Sequence, residues 1–192
     1  MPRSKAFQPA EALDRAMELF WRDGYAATDL DRLVRHTRAS RYGLYSTFGG
    51  KRDLYFASLE RYSQAVMDPM LEPLENARAS AREIRAFFER VVALIRTGGH
   101  RGCLVCNVAI ERGGVDAAAA RRARQHFARV RRLLTRALAN ARRDGSLASE
   151  VAVEAVADHL LGIAAGSFLL ARSGMALGFI RRFVDTALKG LT

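Results

Sequence analysis

Three glycine pairs, Gly49-Gly50, Gly98-Gly99 and Gly113-Gly114, cut this chain into helix-length pieces. That punctuation narrows the possible folds more than any other feature, because adjacent glycines leave the backbone too free to continue a helix. Between the breaks, apolar side chains recur at three- and four-residue intervals, the period of one helix face. Leu13, Ala16, Met17, Phe20 and Trp21 form the first stripe, with Pro9 suited to the first turn and Gly24 to the C-cap. Thr28 reads as an N-cap, with Asp31 three residues on, for a short helix through His36 that turns Leu30, Leu33 and Val34 inward. After the polar turn Thr37-Arg38-Ala39-Ser40, Ser40 caps another short helix from Arg41 to about Phe48. A longer helix begins at Lys51 and is expected to stop at Pro69.

The second half continues in the same way. Ser80-Ala81-Arg82-Glu83 is a capping box that opens a helix with Ile84, Phe87, Phe88, Val91, Val92 and Ile95 inward. A short helix from about Cys103 to Arg112 and a long arginine-rich helix over roughly Asp116–Arg143 follow. Helices near Glu150–Arg172 and Ala176–Gly190 close the chain, and no segment sustains strand alternation. The expected fold is all-α with about nine helices, a three-helix head over residues 1–50 and a helical body over 51–192.

Composition excludes several classes. The chain is 49% apolar, enough for a core, and its two cysteines do not make a disulfide framework, so a reducing cytoplasmic location is expected. The longest mainly apolar run, Leu160–Ala171, falls short of the ~18 residues of a membrane span, and no membrane partner is expected. A net charge of +11 makes a polyanion the first partner to weigh. Only +3 of it lies in residues 1–62, however, where 11 Lys/Arg meet 8 Asp/Glu. Ten arginines instead fall between Arg112 and Arg143, most simply a solvated helix face, so charge alone does not locate a nucleic-acid site. No Gly-x-Ser-x-Gly elbow, phosphate loop, paired-carboxylate signature or Glu-x-x-His pattern is present, and neither an enzyme nor a cofactor is expected.

Two short helices joined by a three- or four-residue turn make a helix-turn-helix, whose second helix enters the DNA major groove. The Arg41–Phe48 helix has only Leu44 and Phe48 as apolar anchors and carries Tyr42, Tyr45, Ser46 and Thr47 around them. Those hydroxyls can donate to phosphates, and Arg38 and Arg41 can reach phosphates or guanine edges. Lys51 adds charge where a helix N-terminus already attracts phosphate. By spacing alone, a helical hairpin with a solvated polar face, making protein contacts only, remains the alternative. Tyr25, Thr28, Leu30–Val34, Ser40, Gly43, Leu44-Tyr45, Phe48, Lys51 and Leu54 together resemble the N-terminal signature of the TetR (tetracycline-repressor-like) family, over about residues 8–55. The resemblance implies a homodimer on palindromic double-stranded operator DNA, released by a small effector that enters the body. It assigns DNA contacts to Thr28, Arg38, Ser40, Arg41, Tyr42, Tyr45, Ser46, Thr47 and Lys51. Thr37-Arg38-Ala39 departs from the family's more usual Ala-Gly-Val type of turn.

In the body, Arg101-Gly102-Cys103-Leu104 with Asn107 and Glu111 is similar to a subgroup that includes electrophile- and oxidant-responsive repressors. If helical, Cys103, Asn107 and Glu111 share a face with Cys106 beside it. Arg101 and the helix start would favour the Cys103 thiolate; ordinary apolar pocket-lining cysteines are the alternative. His100, Cys103 and Cys106 lack a fourth zinc ligand, so no metal is expected. Lining of an effector pocket is expected from Phe87, Phe88, Val91, Cys106, Phe127 and Phe168, with Cys103 and Asn107 as sensing residues. Small Gly162 and Gly166 on one closing helix, facing Phe179 and Phe183 on the next, fit a close dimer interface.

Overall fold

The computed structural model describes residues 8–189 and Leu191, and every regular element among them is helical. The head comprises α1 (Pro9–Asp23), α2 (Leu30–Thr37) and α3 (Arg41–Phe48), with α4 (Lys51–Tyr62) packed along α1. α4 passes through a π-helical turn at Ser63–Met67 into α5 (Asp68–Glu75). α6 (Ala81–Gly98), a 3-10 turn at Gly99–Arg101 and α7 (Leu104–Arg112) follow, then α8 (Ala117–Asp144), α9 (Val153–Arg172) and α10 (Leu177–Ala187). With α4 and α5 counted as one rod, the described residues form nine helices, as the punctuation predicts.

The α1 stripe explains why head and body share a core. Phe20 and Trp21 are buried, and their rings meet Tyr55 and Tyr62 of α4 edge-on, each pair at 4.9 Å between centroids. Removing rings of this size from water contributes on the order of 2–3 kcal/mol each, with about 1 kcal/mol more from the edge-to-face geometry. α9 is mainly apolar over more than Leu160–Ala171, and by length and mean hydropathy it reaches the range of a membrane span. Here it packs as a core helix, burying Val153, Ala157, Leu160, Ile163, Ala164, Phe168 and Ala171 against α8 and α10.

Several expectations need correction. Asp29, not Thr28, caps α2: its carboxylate accepts from the Arg32 N–H at 2.7 Å. Thr28 is fully buried, and its hydroxyl donates to the Gly24 carbonyl at 2.7 Å. Pro69 does not end the fourth helix. The π turn widens the ladder just ahead of it, with the Asp68 N–H reaching back to the Ser63 carbonyl, and Pro69 then sits in the first turn of α5, where no donor is needed. At α6 the Glu83 carboxylate accepts from the Ser80 N–H at 2.8 Å, while the Ser80 hydroxyl also donates to Asp144 at 2.5 Å, tying α6 to the end of α8. The expected solvated arginine face of α8 is partly spent within the fold. Arg129 pairs with Asp68 and Glu75, Arg131 with Asp158, and Arg136 donates to the last carbonyls of α5. Gly190, the expected end of the last helix, lies outside the described residues.

Candidate DNA-recognition helix and effector cavity

α3 is built to be seen from outside. The Ser40 hydroxyl accepts from the Gly43 N–H at 2.9 Å and starts the helix where the sequence places it. Leu44 anchors the inner face, and Arg41, Tyr42, Tyr45, Ser46 and Thr47 are exposed, Tyr42 to 82%. Two aromatic rings, those of Tyr42 and Tyr45, are thus left open on the outer face of α3. Arg38 is the single described non-glycine residue at positive φ (58°), closing α2 in the left-handed conformation. That explains the unusual turn sequence: the position is shaped for glycine and holds an arginine pointing to solvent. The Lys51 ammonium lies over the Tyr25 ring at 4.2 Å. Burial there holds its pKa below the ordinary lysine value, with Asp29 opposing and Arg112 adding to the effect. Arg38, Ser40, Arg41, Tyr42, Tyr45, Ser46, Thr47 and Lys51 thus all lie at or next to the α3 end of the head. Buried Thr28 is a brace for the turn beneath them, not a surface available to DNA.

A set of polar links joins this head to the body. The Trp21 indole N–H donates to the Gly102 carbonyl at 2.8 Å, and the Arg101 guanidinium covers the Trp21 ring at 4.2 Å. The Glu111 carboxylate accepts from the Tyr25 N–H at 2.7 Å. Gly24 has φ 82°, the left-handed region that favours glycine, and a Cβ there would push the Glu111 carboxylate aside. Asp116 caps α8 through the Ala118 and Ala119 N–H groups and takes a two-pronged bond from Arg52, at 2.8 and 3.0 Å. The Arg52 guanidinium holds the Asp116 carboxyl well below the usual carboxylate range. The helical face expected for Cys103, Asn107 and Glu111 is therefore used differently. Cys103 is the extended N-cap residue of α7, Asn107 donates to the Arg101 carbonyl at 3.1 Å, and Glu111 serves the head.

Between α5, α6, α8, α9 and the start of α7 the body leaves a tight, partly open cavity of about 30 Å³, room for roughly one water molecule. Phe87, Cys106, Phe127 and Phe168 line it, and so does Cys103. Phe88 and Val91 do not: both are fully buried, and Phe88 instead floors a groove between α6 and α10. Asn107 is absent from the lining as well. The sequence reading missed Met67, Met70 and His126, which face the same space from the π turn, α5 and α8. Burial, reinforced by the charge on Arg129 and opposed by Asp68, pushes the His126 imidazole down to about 4, so it is neutral at physiological pH. For Cys103, burial raises the thiol pKa, but the thiol and backbone N–H of Cys106 donate to its sulfur and bring it below the ordinary thiol value. The Cys106 thiol, which carries that hydrogen bond, is pushed up. The expected role of Arg101 is therefore corrected: its guanidinium stacks on Trp21 and donates to the Gly98 carbonyl, and the Cys103 thiolate is favoured by Cys106. The Tyr62 hydroxyl is buried without a hydrogen-bond partner and faces the same two sulfurs.

An all-helical chain with an outward-facing helix-turn-helix and a cavity in its helical body defines the class of one-component DNA-binding regulators. Residues 12–57 match the profile of bacterial regulatory proteins, tetR family, and residues 80–184 that of the tetracyclin repressor-like C-terminal domain. The chain belongs to the TetR family, a family of transcriptional regulators and not of enzymes. It is 35% identical over 112 residues to an uncharacterized HTH-type transcriptional regulator, YezE, of Bacillus subtilis, a match that spans 58% of each chain. It is 29% identical over 189 residues to the HTH-type transcriptional repressor ComR of Escherichia coli, covering 97% of this chain and 90% of that one. Among solved structures, a cysteine mutant of the TetR family regulator CifR complexed with 26-bp operator DNA superposes with a TM-score of 0.83 at 25% identity, over 99% of this chain and 100% of that one. A TetR regulatory protein of Rhodobacter sphaeroides has the same fold, with a TM-score of 0.83 at 19% identity over 95% and 98% of the two chains.

Proposed function

We propose that this chain is a transcriptional repressor that binds a palindromic operator as a homodimer and is released when the body cavity is filled or its thiol is modified. The observation that carries the reading is the outward face of α3, with Ser40, Arg41, Tyr42, Tyr45, Ser46 and Thr47 exposed around a single buried anchor, Leu44. Residues 1–50 form the DNA-reading unit and 51–192 the effector and dimer unit, with α4 packed against both. Dimerisation through α9 and α10 is supported by an exposed stripe of Ala155, His159, Gly162 and Leu169 beside Phe179. Gly166 contributes differently, since its Cα faces the Phe183 ring of its own chain.

The cavity lining narrows the effector. Among the described residues no carboxylate or permanently charged side chain lines the cavity, and His126 is neutral, so the fitting ligand is small, uncharged and largely apolar. Such a ligand has to part the walls, and it releases DNA only by binding the parted conformation better than the DNA-bound one. The Gly102-Cys103-Leu104 run and the lowered Cys103 pKa support membership of the thiol-sensing subgroup, in which the Cys103 sulfur adds to an electrophilic carbon. The test is selection from a random duplex pool followed by titration in rising salt. A palindromic site with a slope near −0.9 per bound phosphate is expected. Failure to select any site overturns the reading.

A further inference from the structure

The Arg41 guanidinium donates through Nη2 to the Asp31 carboxylate at 2.6 Å, joining the first residue of α3 to the first turn of α2. This ion pair adds little to the fold. Both side chains are open to solvent, at 62% and 67% exposure, where an ion pair contributes little stability. Asp31 has no capping duty either, because Asp29 fills it. An acidic side chain beside a recognition helix also works against binding, since it repels the phosphates that Arg38 and Lys51 would attract. In the first turn of α2 Asp31 also meets the helix dipole, but its one side-chain partner among the described residues is the Arg41 guanidinium.

The N-terminal end of a recognition helix is the part that meets base edges, and Arg41 stands at that end. A guanidinium carries five N–H donors in a rigid plane. Asp31 accepts one of them through Oδ1, and four remain. Two neighbouring donors of a guanidinium match the O6 and N7 acceptors of guanine, the commonest specific contact in the major groove. We infer that Asp31 is a positioning residue for Arg41, holding its guanidinium in the plane that reads one guanine in each operator half-site. The carboxylate fixes a long side chain before DNA arrives, so less rotamer freedom is lost on binding. It also sets a penalty on bases other than guanine, because an aimed guanidinium cannot swing away to a phosphate. The inference rests on the DNA-binding reading and sharpens it to one residue pair and one base.

The experiment compares sequence preferences selected from one random duplex pool by the wild type, Arg41→Ala, Asp31→Ala and Asp31→Asn. The wild type is expected to favour guanine at one position per half-site by about 5- to 150-fold, the range of a good two-pronged contact. Arg41→Ala should lose that preference and leave the other positions intact. Asp31→Ala should weaken the same preference at least threefold, while its affinity for unrelated duplex rises or holds as a negative charge is removed. Asp31→Asn, which keeps an acceptor oxygen, should fall between. A purely electrostatic Asp31 predicts a different result: tighter binding to every sequence with an unchanged preference, which would overturn the inference. An Arg41→Ala variant with the wild-type preference would do the same. A wild type that selects no sequence overturns the DNA-binding reading itself, and this inference with it. Retained binding to unrelated duplex shows that each exposed-site variant is folded.

Discussion

Trp21 and Gly102 are 81 residues apart in sequence, yet the indole N–H of one donates to the carbonyl of the other at 2.8 Å inside the protein. Gly102 precedes Cys103, which lines the cavity, and Trp21 lies in α1 of the head. At Gly102 a Cβ would stand 3.0 Å from the Phe168 carbonyl, and φ is 64°, so this backbone is pressed between a cavity helix and the head. Tyr62, against the Trp21 ring and facing both sulfurs, adds a second path. These two contacts join α1 to the cavity wall with no flexible linker between, so a change in cavity shape is expected to be felt at α1.

Trp21→Phe removes the donor and leaves the buried Gly102 carbonyl unpaired, which costs about 1–3 kcal/mol. A lower unfolding midpoint in denaturant is expected. Operator binding should survive, because α3 is untouched, while release by an effector should need a higher concentration. Equal release in both proteins would show that the coupling runs elsewhere.

Arg38→Gly should move stability and DNA binding in opposite directions. Relieving a left-handed non-glycine residue stabilises by about 1 kcal/mol. If Arg38 holds a phosphate, the same change weakens binding to all duplexes and lowers the salt slope by about 0.9. Denaturant melts and salt titrations on one preparation read both. A variant that is less stable than the wild type would show that the arginine is anchored by more than its exposed position implies.

The outline of α3 was legible because a serine cap and a glycine pair bound a run with only two apolar anchors, all of it local information. Phe87 and Phe88 show where local information ends. Both lie on the buried stripe of α6, but only Phe87 faces the cavity. Helical periodicity locates the middle of a stripe, and the neighbouring helices decide which edge meets which space. Thr28 and Asp29 are a closer case: either can cap, and burial of Thr28 under the turn settles it. Glu111 bonding to the Tyr25 N–H lies 86 residues away and leaves no trace in spacing at all.

The dimer face has its own test. Gly162 is exposed, with open space where a Cβ would stand, so Gly162→Trp should leave the monomer fold intact. A bulky ring should nonetheless hold two α9 helices apart, and sedimentation should show dissociation together with loss of operator binding. Dimers at wild-type strength would place the interface on other helices.

His126 gives the protein an acid-sensitive core. Its folded pKa of about 4 lies below the ordinary value of 6.5, so the unfolded chain binds the proton more tightly. Stability from this group is complete above about pH 6.5 and is lost as pH falls towards 4. His126→Gln should remove up to about 3 kcal/mol of that pH dependence. Denaturant melts across this window measure it, and an unchanged profile would mean that the imidazole is better solvated than its place in the wall implies.

Cys103 carries the last prediction. Hydrogen bonds from Cys106 hold its thiol pKa below the ordinary value, and it lines the cavity, so an apolar electrophile that enters meets it directly. Cys106 keeps its proton and should react more slowly. Addition forms a carbon–sulfur bond at Cys103, and the displaced electron pair of the acceptor takes a proton from water. The adduct adds bulk next to Gly102, the residue that holds Trp21. Cys103→Ser should keep wild-type operator affinity and lose release by a Michael acceptor such as N-ethylmaleimide, while Cys106→Ser should keep both. Peptide mass spectrometry would locate the adduct in the wild type. Release of the Cys103→Ser protein at the wild-type dose would make both cysteines plain cavity wall and leave reversible filling of the cavity as the signal.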